Sequence, residues 1–161
     1  MLPEVAQKNA AAVVLNDRVP GAIVDVIEAV DGLVLRIAAA EIIPVCRVLK
    51  EEAGFERLGA VTGVDWWPSE PRFEVIYFLH SLQHNARLRL SVKLAEDEEI
   101  DSVCLLWRGA NWYEREVFDL FGIRFRNHPN LERIMMPADW EGHPLRKDYP
   151  IHGHRYSYQD E

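Results

Sequence analysis

The chain has 161 residues, a length that fits one domain built around one hydrophobic core. Its 18 basic and 26 acidic side chains give a formal net charge of −8, which argues against nucleic-acid and acidic-membrane binders, because their affinity rests on clustered lysine and arginine. An apolar fraction of 48% with five tryptophans excludes an extended disordered protein.

The N-terminus shows no basic region followed by an apolar run and a cleavage site, so we expect a cytoplasmic protein. The longest apolar stretch, residues 33–49, contains several charged residues and a proline, which predicts that it does not span a membrane. Cys46 and Cys104 lack the CxxC spacing of zinc and iron-sulfur sites. We interpret both as buried free thiols.

The first predicted elements are a helix and a hairpin. Pro3 can open a helix that runs to about Leu15, since proline is tolerated in the first helical turn. Residues 23–29 and 33–37 are rich in β-branched and aliphatic side chains. They flank Asp31-Gly32, a pair favoured in type I′ turns, so the pattern predicts a β-hairpin.

A second helix and three strands follow. Apolar residues recur at helical spacing over 41–52, and Gly54 is placed to end that helix. Residues 55–65, 73–82 and 87–94 are each bounded by turn-forming residues and are predicted strands. The element order α-β-β-α-β-β-β indicates an α+β fold, a two-layer mixed five-stranded sheet with helices, rather than a doubly wound nucleotide-binding fold.

The last two strands show which faces are buried. Apolar and polar side chains alternate strictly over residues 87–94, which predicts that one face of this strand is buried and the other is exposed to solvent. The predicted solvent-exposed side chains are Arg87, Arg89, Ser91 and Lys93. Residues 73–82 carry large apolar groups on both faces, so we place that strand centrally. His80 within it is interpreted as a packed core histidine rather than a ligand.

Neither a dinucleotide site nor a metal site is predicted. The motifs GxGxxG and GxxxxGK[ST], which hold phosphates through backbone amides, do not occur, so we expect no NADH binding by this chain. The acidic run 96–99 is interpreted as a solvated linker, because four consecutive side chains on a turn point in different directions.

A third predicted helix begins near Asn111, which can cap it while Glu114 reaches back, and ends at Gly122. Its apolar stripe consists of Trp112, Tyr113, Val117, Leu120 and Phe121. Its polar surface is predicted to hold Glu114, Arg115, Glu116 and Asp119, with Arg115 able to pair with Asp119 four residues on.

Beyond Gly122 the chain is broken by prolines and predicted to be irregular. It is nevertheless rich in large apolar groups and arginines, a composition untypical of a free linker. We therefore predict that it wraps across another surface. The prediction divides the chain into a sheet domain, residues 1–107, and a helix with a docking extension, residues 108–161, packed on the same domain and on partner subunits.

The residues of this region resemble a known family. The run comprises Glu114-Arg115-Glu116, Asp119-Leu120, Gly122-Ile123, His128-Pro129, Arg133-Ile134, Pro137 and the stretch Gly142-His143-Pro144-Leu145-Arg146-Lys147-Asp148-Tyr149-Pro150. It closely resembles the 30 kDa subunit family of respiratory complex I, the NADH:quinone oxidoreductase. The α-β-β-α-β-β-β order is also similar to the fold of that family.

The resemblance implies a cofactor-free structural subunit in the hydrophilic arm of a proton-translocating enzyme, without catalytic residues of its own. Its expected partners are the large quinone-site subunit and the ferredoxin-like iron-sulfur subunit. FMN and iron-sulfur clusters would lie in partner subunits, with NADH and quinone as substrates of the whole complex. The expected location is peripheral, on the cytoplasmic side of the bacterial inner membrane, with membrane association only through partners.

The resemblance also implies a set of subunit-interface residues. They are Glu114, Arg115, Glu116, Asp119, His128, Arg133, His143, Arg146, Lys147, Asp148 and Tyr149. Of these, Arg146, Lys147 and Asp148 are expected to make charge-assisted contacts to partners. The sequence departs from the family at Glu132, where a basic residue is common, and in its short C-terminus, which suggests a shorter contact with the neighbour.

Three other interpretations stay open. A hydrolase or metal enzyme could use His143, His152 and His154, with Asp148 or Glu141 as acid or base, but no residues supply a base, nucleophile and oxyanion donors together. For His143 the simpler interpretation is a neutral imidazole bonded to backbone. The same subunit role could belong to a membrane-bound hydrogenase or a photosynthetic NDH-type complex, or the chain could be a free-standing adaptor.

Overall fold

The computed structural model describes residues 3–30 and 32–150. Its centre is a five-stranded sheet, formed by β1 Ile23–Ala29, β2 Gly32–Ile37, β3 Arg57–Asp65, β4 Phe73–Ser81 and β5 Ala86–Leu94. The strands lie side by side in the order β1-β2-β5-β4-β3. Only the β2–β5 pair in this sheet is parallel, so the sheet is mixed, as predicted.

Four α-helices and a small second sheet complete the described chain. The helices are α1 Glu4–Gln7, α2 Ala10–Arg18, α3 Ile42–Glu51, preceded by a 3₁₀ turn at Ala39–Glu41, and α4 Ala110–Phe121. The second sheet pairs β6 Ile100–Asp101 with β7 Phe125–Arg126 in parallel. The α+β fold is confirmed; the two short strands were not predicted, because each contains only two residues.

The core lies between the helices and one face of the sheet. That face carries the alternate residues Val75, Tyr77 and Leu79 of β4 and their neighbours on β5, all of which are buried. Helix α4 crosses β3 at Gly63, where an added Cβ would lie 2.9 Å from Cδ2 of Phe121. Glycine at this position therefore sets how closely the helix approaches the sheet.

Several predicted details differ in the structure. The first helix is two helices, because Asn9 interrupts it and caps α2 by accepting the N–H of Ala12 at 3.2 Å. On the face of the sheet that was predicted to be exposed to solvent, Ser91 is buried and its hydroxyl donates to Glu74. His80 lies on the same face, turned away from the helices, and is half-buried rather than packed in the core. The type I′ turn remains a prediction, since Asp31 lies outside the described residues.

Helix α4 begins differently from the prediction and ends as predicted. Gly109 precedes it without a side-chain cap, and Asn111 lies inside the helix. The capping box is wrong because Glu114 bonds to a neighbouring loop instead. Gly122 ends the helix with φ 79°, the left-handed conformation that glycine adopts without strain.

Within residues 3–30 and 32–150, no helix combines the length and apolar character needed to cross a bilayer. The core extends across the predicted domain boundary, since Val117 and Ile123 join the cluster formed by the sheet and α3. The division into residues 1–107 and 108–161 stays a prediction.

Candidate interface site

The C-terminal segment, residues 127–150, contains neither helix nor strand, which agrees with the proline-broken pattern. It is ordered by bonds to α4 and the sheet: the N–H of Leu145 donates to the carbonyl of Leu120 at 3.0 Å, and the N–H of Lys147 donates to Oδ2 of Asp65 at 2.9 Å. Much of the segment that was predicted to contact partner subunits therefore binds to the domain of its own chain.

Asp119 anchors the first part of the C-terminal segment. Its buried carboxylate accepts the N–H groups of Ile134, Met135 and Met136 at 2.7–2.9 Å and the guanidinium of Arg133 at 2.5 Å. Burial raises the pKa of Asp119, but these donors outweigh burial and hold it below its usual value. Asp119 is thus a charged centre around which the segment turns.

Arg72 anchors the end of the C-terminal segment. The side chain is buried and donates to both carboxylate oxygens of Asp65, at 3.1 and 3.0 Å. It also donates to Oδ1 of Asp148 at 2.6 Å and to Glu96 at 2.9 Å. The bond to Arg72 lowers the pKa of Asp148, whose carboxylate is therefore ionised at neutral pH. Glu96, predicted to be only solvated, belongs to this network.

The C-terminal end of α4 is closed by two side chains of the C-terminal segment. Arg146 donates from Nε to the carbonyl of Phe121 at 2.7 Å, and Nδ1 of His143 is 2.8 Å from the carbonyl of Asp119. A cation suits this position because the last helical carbonyls carry partial negative charge. Burial lowers the pKa of His143, which confirms the predicted neutral imidazole bonded to backbone.

Glu114 lies in a buried polar pocket beside α4. It accepts the hydroxyl of Ser102 at 2.6 Å, the N–H of Val103 at 2.8 Å and the thiol of Cys104 at 3.3 Å. Burial raises the pKa of Glu114 and raises that of Cys104 to about 12. The thiol is therefore protonated at neutral pH, and the pocket fixes the loop before α4.

Cys104, Glu114 and His128 offer ligand atoms within 4.8 Å of one another, a spacing that could suit a metal ion. Their hydrogen bonds oppose this function. Nδ1 of His128 accepts the N–H of Asn130 at 3.0 Å, so Nε2 carries the proton and points to the carbonyl of Asn111 at 3.3 Å. Neither ring nitrogen then has a free lone pair, and the arrangement fits a structural cluster better.

We expect Glu114→Gln to remove a pH-dependent loss of stability. Because the folded-state pKa is raised, folded chains hold a proton that unfolded chains release near pH 4.5, so Glu114 lowers stability as pH rises from that value through its folded-state pKa. In urea unfolding between pH 4 and 8, the stability of the wild type should therefore fall relative to that of Glu114→Gln as the pH rises. The exposed Glu116→Gln serves as control, and parallel wild-type and Glu114→Gln curves would contradict the prediction.

The remaining predicted residues divide into inward-bonded and exposed ones. Arg115 donates to the carbonyls of Glu132 and Arg133 at 3.0 and 3.1 Å, so its predicted pairing with Asp119 is wrong. Tyr149 donates its hydroxyl to the carbonyl of Glu141 at 3.2 Å. The side chains of Glu116 and Lys147 are exposed.

Two predicted surface residues are buried, and one central residue was missed. The placement of Glu114 and Asp119 on the polar surface of α4 is wrong, since both are 0% exposed. Arg72 was overlooked because no motif marks it; the available signal was an arginine between Asp65 and Glu74 at a strand start. Of the histidines in the hydrolase alternative, His143 is committed to backbone, and His152 and His154 lie outside the described residues.

Large apolar side chains project outward from α4 and its surroundings. Trp112 is 60% exposed, Met135 57%, Leu145 51%, and Leu105, in the loop before α4, 91%. Arg115 lies over the ring of Trp112 at 5.4 Å. Arg133, Arg146 and Asp148 of the C-terminal segment thus bond to the segment's own domain, while Met135 and Leu145 are exposed. Exposed apolar side chains of this size are typical of a surface that packs against another protein.

The chain is similar in sequence to subunits of respiratory enzymes. Residues 35–155 match the model of a family described as the 30 kDa subunit of respiratory-chain NADH dehydrogenase. An NADH-quinone oxidoreductase subunit of Geotalea uraniireducens is 42% identical over 153 residues, covering 94% of this chain and 93% of that protein. The mitochondrial NADH-ubiquinone oxidoreductase 30.4 kDa subunit of Neurospora crassa is 44% identical over 133 residues, covering 81% and 47%.

A solved structure shares the fold. A chain of the membrane-bound sulfane sulfur reductase, an archaeal respiratory membrane complex, superposes with a TM-score of 0.72 at 25% identity. The match covers 85% of this chain and 82% of that chain. The similarity therefore extends beyond the C-terminal motifs to the sheet domain.

Proposed function

Because the chain belongs to the family of the 30 kDa subunit of respiratory-chain NADH dehydrogenase, we propose that it is a cofactor-free structural subunit of the hydrophilic arm of complex I. In this role it supports electron transfer from NADH through iron-sulfur clusters of other subunits to quinone. It forms part of an oxidoreductase, and its own residues perform no chemical step.

The observation that carries this proposal is the arrangement of the C-terminal segment. Asp119 and Arg72 hold it to its own domain from beneath, while Met135 and Leu145 face outward. The bonds to Asp119 and Arg72 give the segment one fixed shape before any partner binds. Such preorganisation reduces the ordering cost of assembly, as a permanent docking surface requires.

We propose the large quinone-site subunit and the ferredoxin-like iron-sulfur subunit as the partners that cover this surface. FMN and the iron-sulfur clusters then belong to other subunits of the complex. Contact with the membrane is indirect, through those partners, on the cytoplasmic side of the bacterial inner membrane. Lys147 and Glu116 supply charged groups at the edge of the apolar surface, where charge favours orientation and association rate.

The contacts within the chain decide which residues can be replaced to test the interface. Arg146 and Asp148 bond within the chain, so replacing either changes the fold of the C-terminal segment as well as any contact. Lys147 and Met135 have exposed side chains, so replacing those side chains leaves that fold intact. The double replacement Lys147→Gln with Met135→Ser therefore separates docking from folding.

We expect this double variant to reduce the amount of assembled complex in membranes without changing the melting temperature of the isolated chain. Blue-native electrophoresis with NADH:quinone activity in the same bands measures the effect. Arg47→Gln, an exposed charge on α3, is the matched control. Normal assembly with lost electron transfer, or normal assembly with normal activity, would contradict the docking role.

A related machine is the second candidate, favoured by the likeness to the sulfane sulfur reductase chain. In this alternative the chain is the equivalent subunit of a membrane-bound hydrogenase or photosynthetic NDH-type complex, and the electron donor or acceptor differs. Purified complex should be assayed with NADH and with hydrogen or reduced ferredoxin as donors. Reduction of quinone with NADH as donor, but not with hydrogen or reduced ferredoxin, supports complex I.

A further inference from the structure

Strand β3 forms one edge of the five-stranded sheet and pairs on one side only, with β4. On its outer side, nothing within residues 3–30 and 32–150 bonds to the backbone of residues 60–64. We propose that an extended, uncharged segment of a partner subunit pairs with this outer edge as a sixth strand and packs against Trp66 and Trp67. The proposal deepens the proposed function and rests on it, since it requires that the chain is part of a complex.

The backbone of the outer edge is suited to pairing. In an antiparallel pair every second residue directs its N–H and C=O away from the neighbouring strand, so residues 60–65 present roughly three of each outward. Their register against β4 is regular, because the irregularity of β3 lies before them, between Leu58 and Ala60. The side chain of Thr62, in the middle of the edge, is exposed, so the described part of the chain does not cover it.

The two edges of the sheet differ in their protection against pairing. Free edges are usually blocked by charged residues, prolines or bulges. The opposite edge, β1, carries Asp25 and Glu28 and has an irregular register between Ile23 and Asp25. In β3, residues 58–64 include neither a charge nor a proline. Because side chains on paired strands contact each other, this composition favours a partner segment that is also uncharged.

Two exposed tryptophans follow this edge. Trp66 is 44% exposed and Trp67 48%, directly after the last residue of β3. Trp66 donates from Nε1 to Glu74 at 2.7 Å, and Nζ of Lys93 lies 4.3 Å from the centroid of its ring. An aromatic side chain that is already held in place binds a partner at low entropic cost. We therefore expect the partner segment to place an apolar side chain against these rings.

The outer edge of β3 adjoins the docking surface of the C-terminal segment. Asp65 accepts the N–H of Trp67 through one carboxylate oxygen and the N–H of Lys147 through the other, both at 2.9 Å. One side chain therefore joins the tryptophans to the segment whose Met135 and Leu145 are exposed. A second copy of the chain is disfavoured as the occupant, because two molecules with a net charge of −8 repel each other. The expected source of the added strand is thus the partner that covers the C-terminal segment.

The first test compares hydrogen exchange in the isolated full-length chain and in the purified complex. We expect about three amides of β3 to exchange at least about tenfold more slowly in the complex, because the added strand bonds to the outward N–H groups. If the chain is in the complex and β3 exchanges as it does in isolation, this inference is overturned while the proposed function stands.

The second test places a lysine on each edge of the sheet. Thr62→Lys adds a charge where the proposed strand pairs, and Val24→Lys is the matched control on β1, where Val24 is 64% exposed. We expect Thr62→Lys to lower the amount of assembled complex at least about tenfold and Val24→Lys to leave it unchanged. Thermal melting of the isolated variants checks that both sheets remain folded. Equal assembly of the two variants overturns the inference.

The third test identifies the added strand in the assembled complex, with p-benzoylphenylalanine in place of Thr62. We expect a cross-link to an uncharged stretch of another subunit. A cross-link to a second copy, to another part of the same chain or to nothing overturns this inference and leaves the proposed function standing. Absence of the chain from every membrane complex overturns both.

Discussion

Replacement of Arg72 by methionine is expected to lower the free energy of unfolding by about 3–5 kcal/mol. The guanidinium is 2% exposed and neutralises Asp65, which is 1% exposed, so its removal leaves an unpaired charge in the core. The same change detaches Asp148 and with it the end of the C-terminal segment. Urea unfolding of the purified chain at pH 7 measures the loss.

A surface ion pair provides the matched control for Arg72. The Arg36–Asp25 pair has a donor–acceptor distance similar to that of Arg72–Asp65, but both of its side chains are partly exposed. Arg36→Met should therefore lower the free energy of unfolding by less than about 1 kcal/mol. If both variants lose the same stability, burial is not the reason for the effect. A loss below about 1 kcal/mol in Arg72→Met would contradict the prediction directly.

Replacement of Asp119 by alanine is expected to cost about 3 kcal/mol and to release the first part of the C-terminal segment. Three backbone N–H groups and the guanidinium of Arg133 lose their acceptor together. The freed segment should be cut by trypsin after Arg133 at a rate at least about tenfold above that of the wild type. Limited proteolysis followed by mass spectrometry identifies the cut.

Glu116 gives the control for Asp119, because it lies on the same helix with its side chain exposed. Glu116→Ala should leave both stability and proteolysis near wild type, since exposed substitutions usually change stability by less than about 0.5 kcal/mol. Equal protease resistance of Asp119→Ala and Glu116→Ala would show that the segment is held by contacts other than Asp119.

The strands and helices were largely predictable because they follow local periodicity. The alternation over 87–94 reflects a sheet with one packed face, and β5 occupies Ala86–Leu94. Glycine at position 122 fixed the end of α4 for the same local reason. The order of the strands required more, because the parallel pairing of β2 with β5 joins residues far apart in sequence.

The charged residues of α4 show where sequence reasoning fails. The buried stripe of α4 includes Ala110, Glu114 and Val117, which recur at helical spacing. The buried position of Glu114 could therefore have been predicted from this spacing, but its charge was taken as a sign of exposure. Asp119 could not be placed in this way. It is buried only because the C-terminal segment covers that side of the helix, and the segment has no periodicity that predicts its path.

The bond between Arg72 and Asp148 joins residues 76 positions apart, and this separation bears on the order in which the chain acquires its shape during synthesis. The sheet can pair once residue 94 has emerged from the ribosome, with Asp65 already beside Arg72. Glu96 follows directly after the sheet, and the third carboxylate, Asp148, arrives almost last. A nascent chain stopped before Asp148 would already hold Arg72 paired with Asp65 and Glu96, so the late event is the attachment of the docking surface to a charge pair that is already in place.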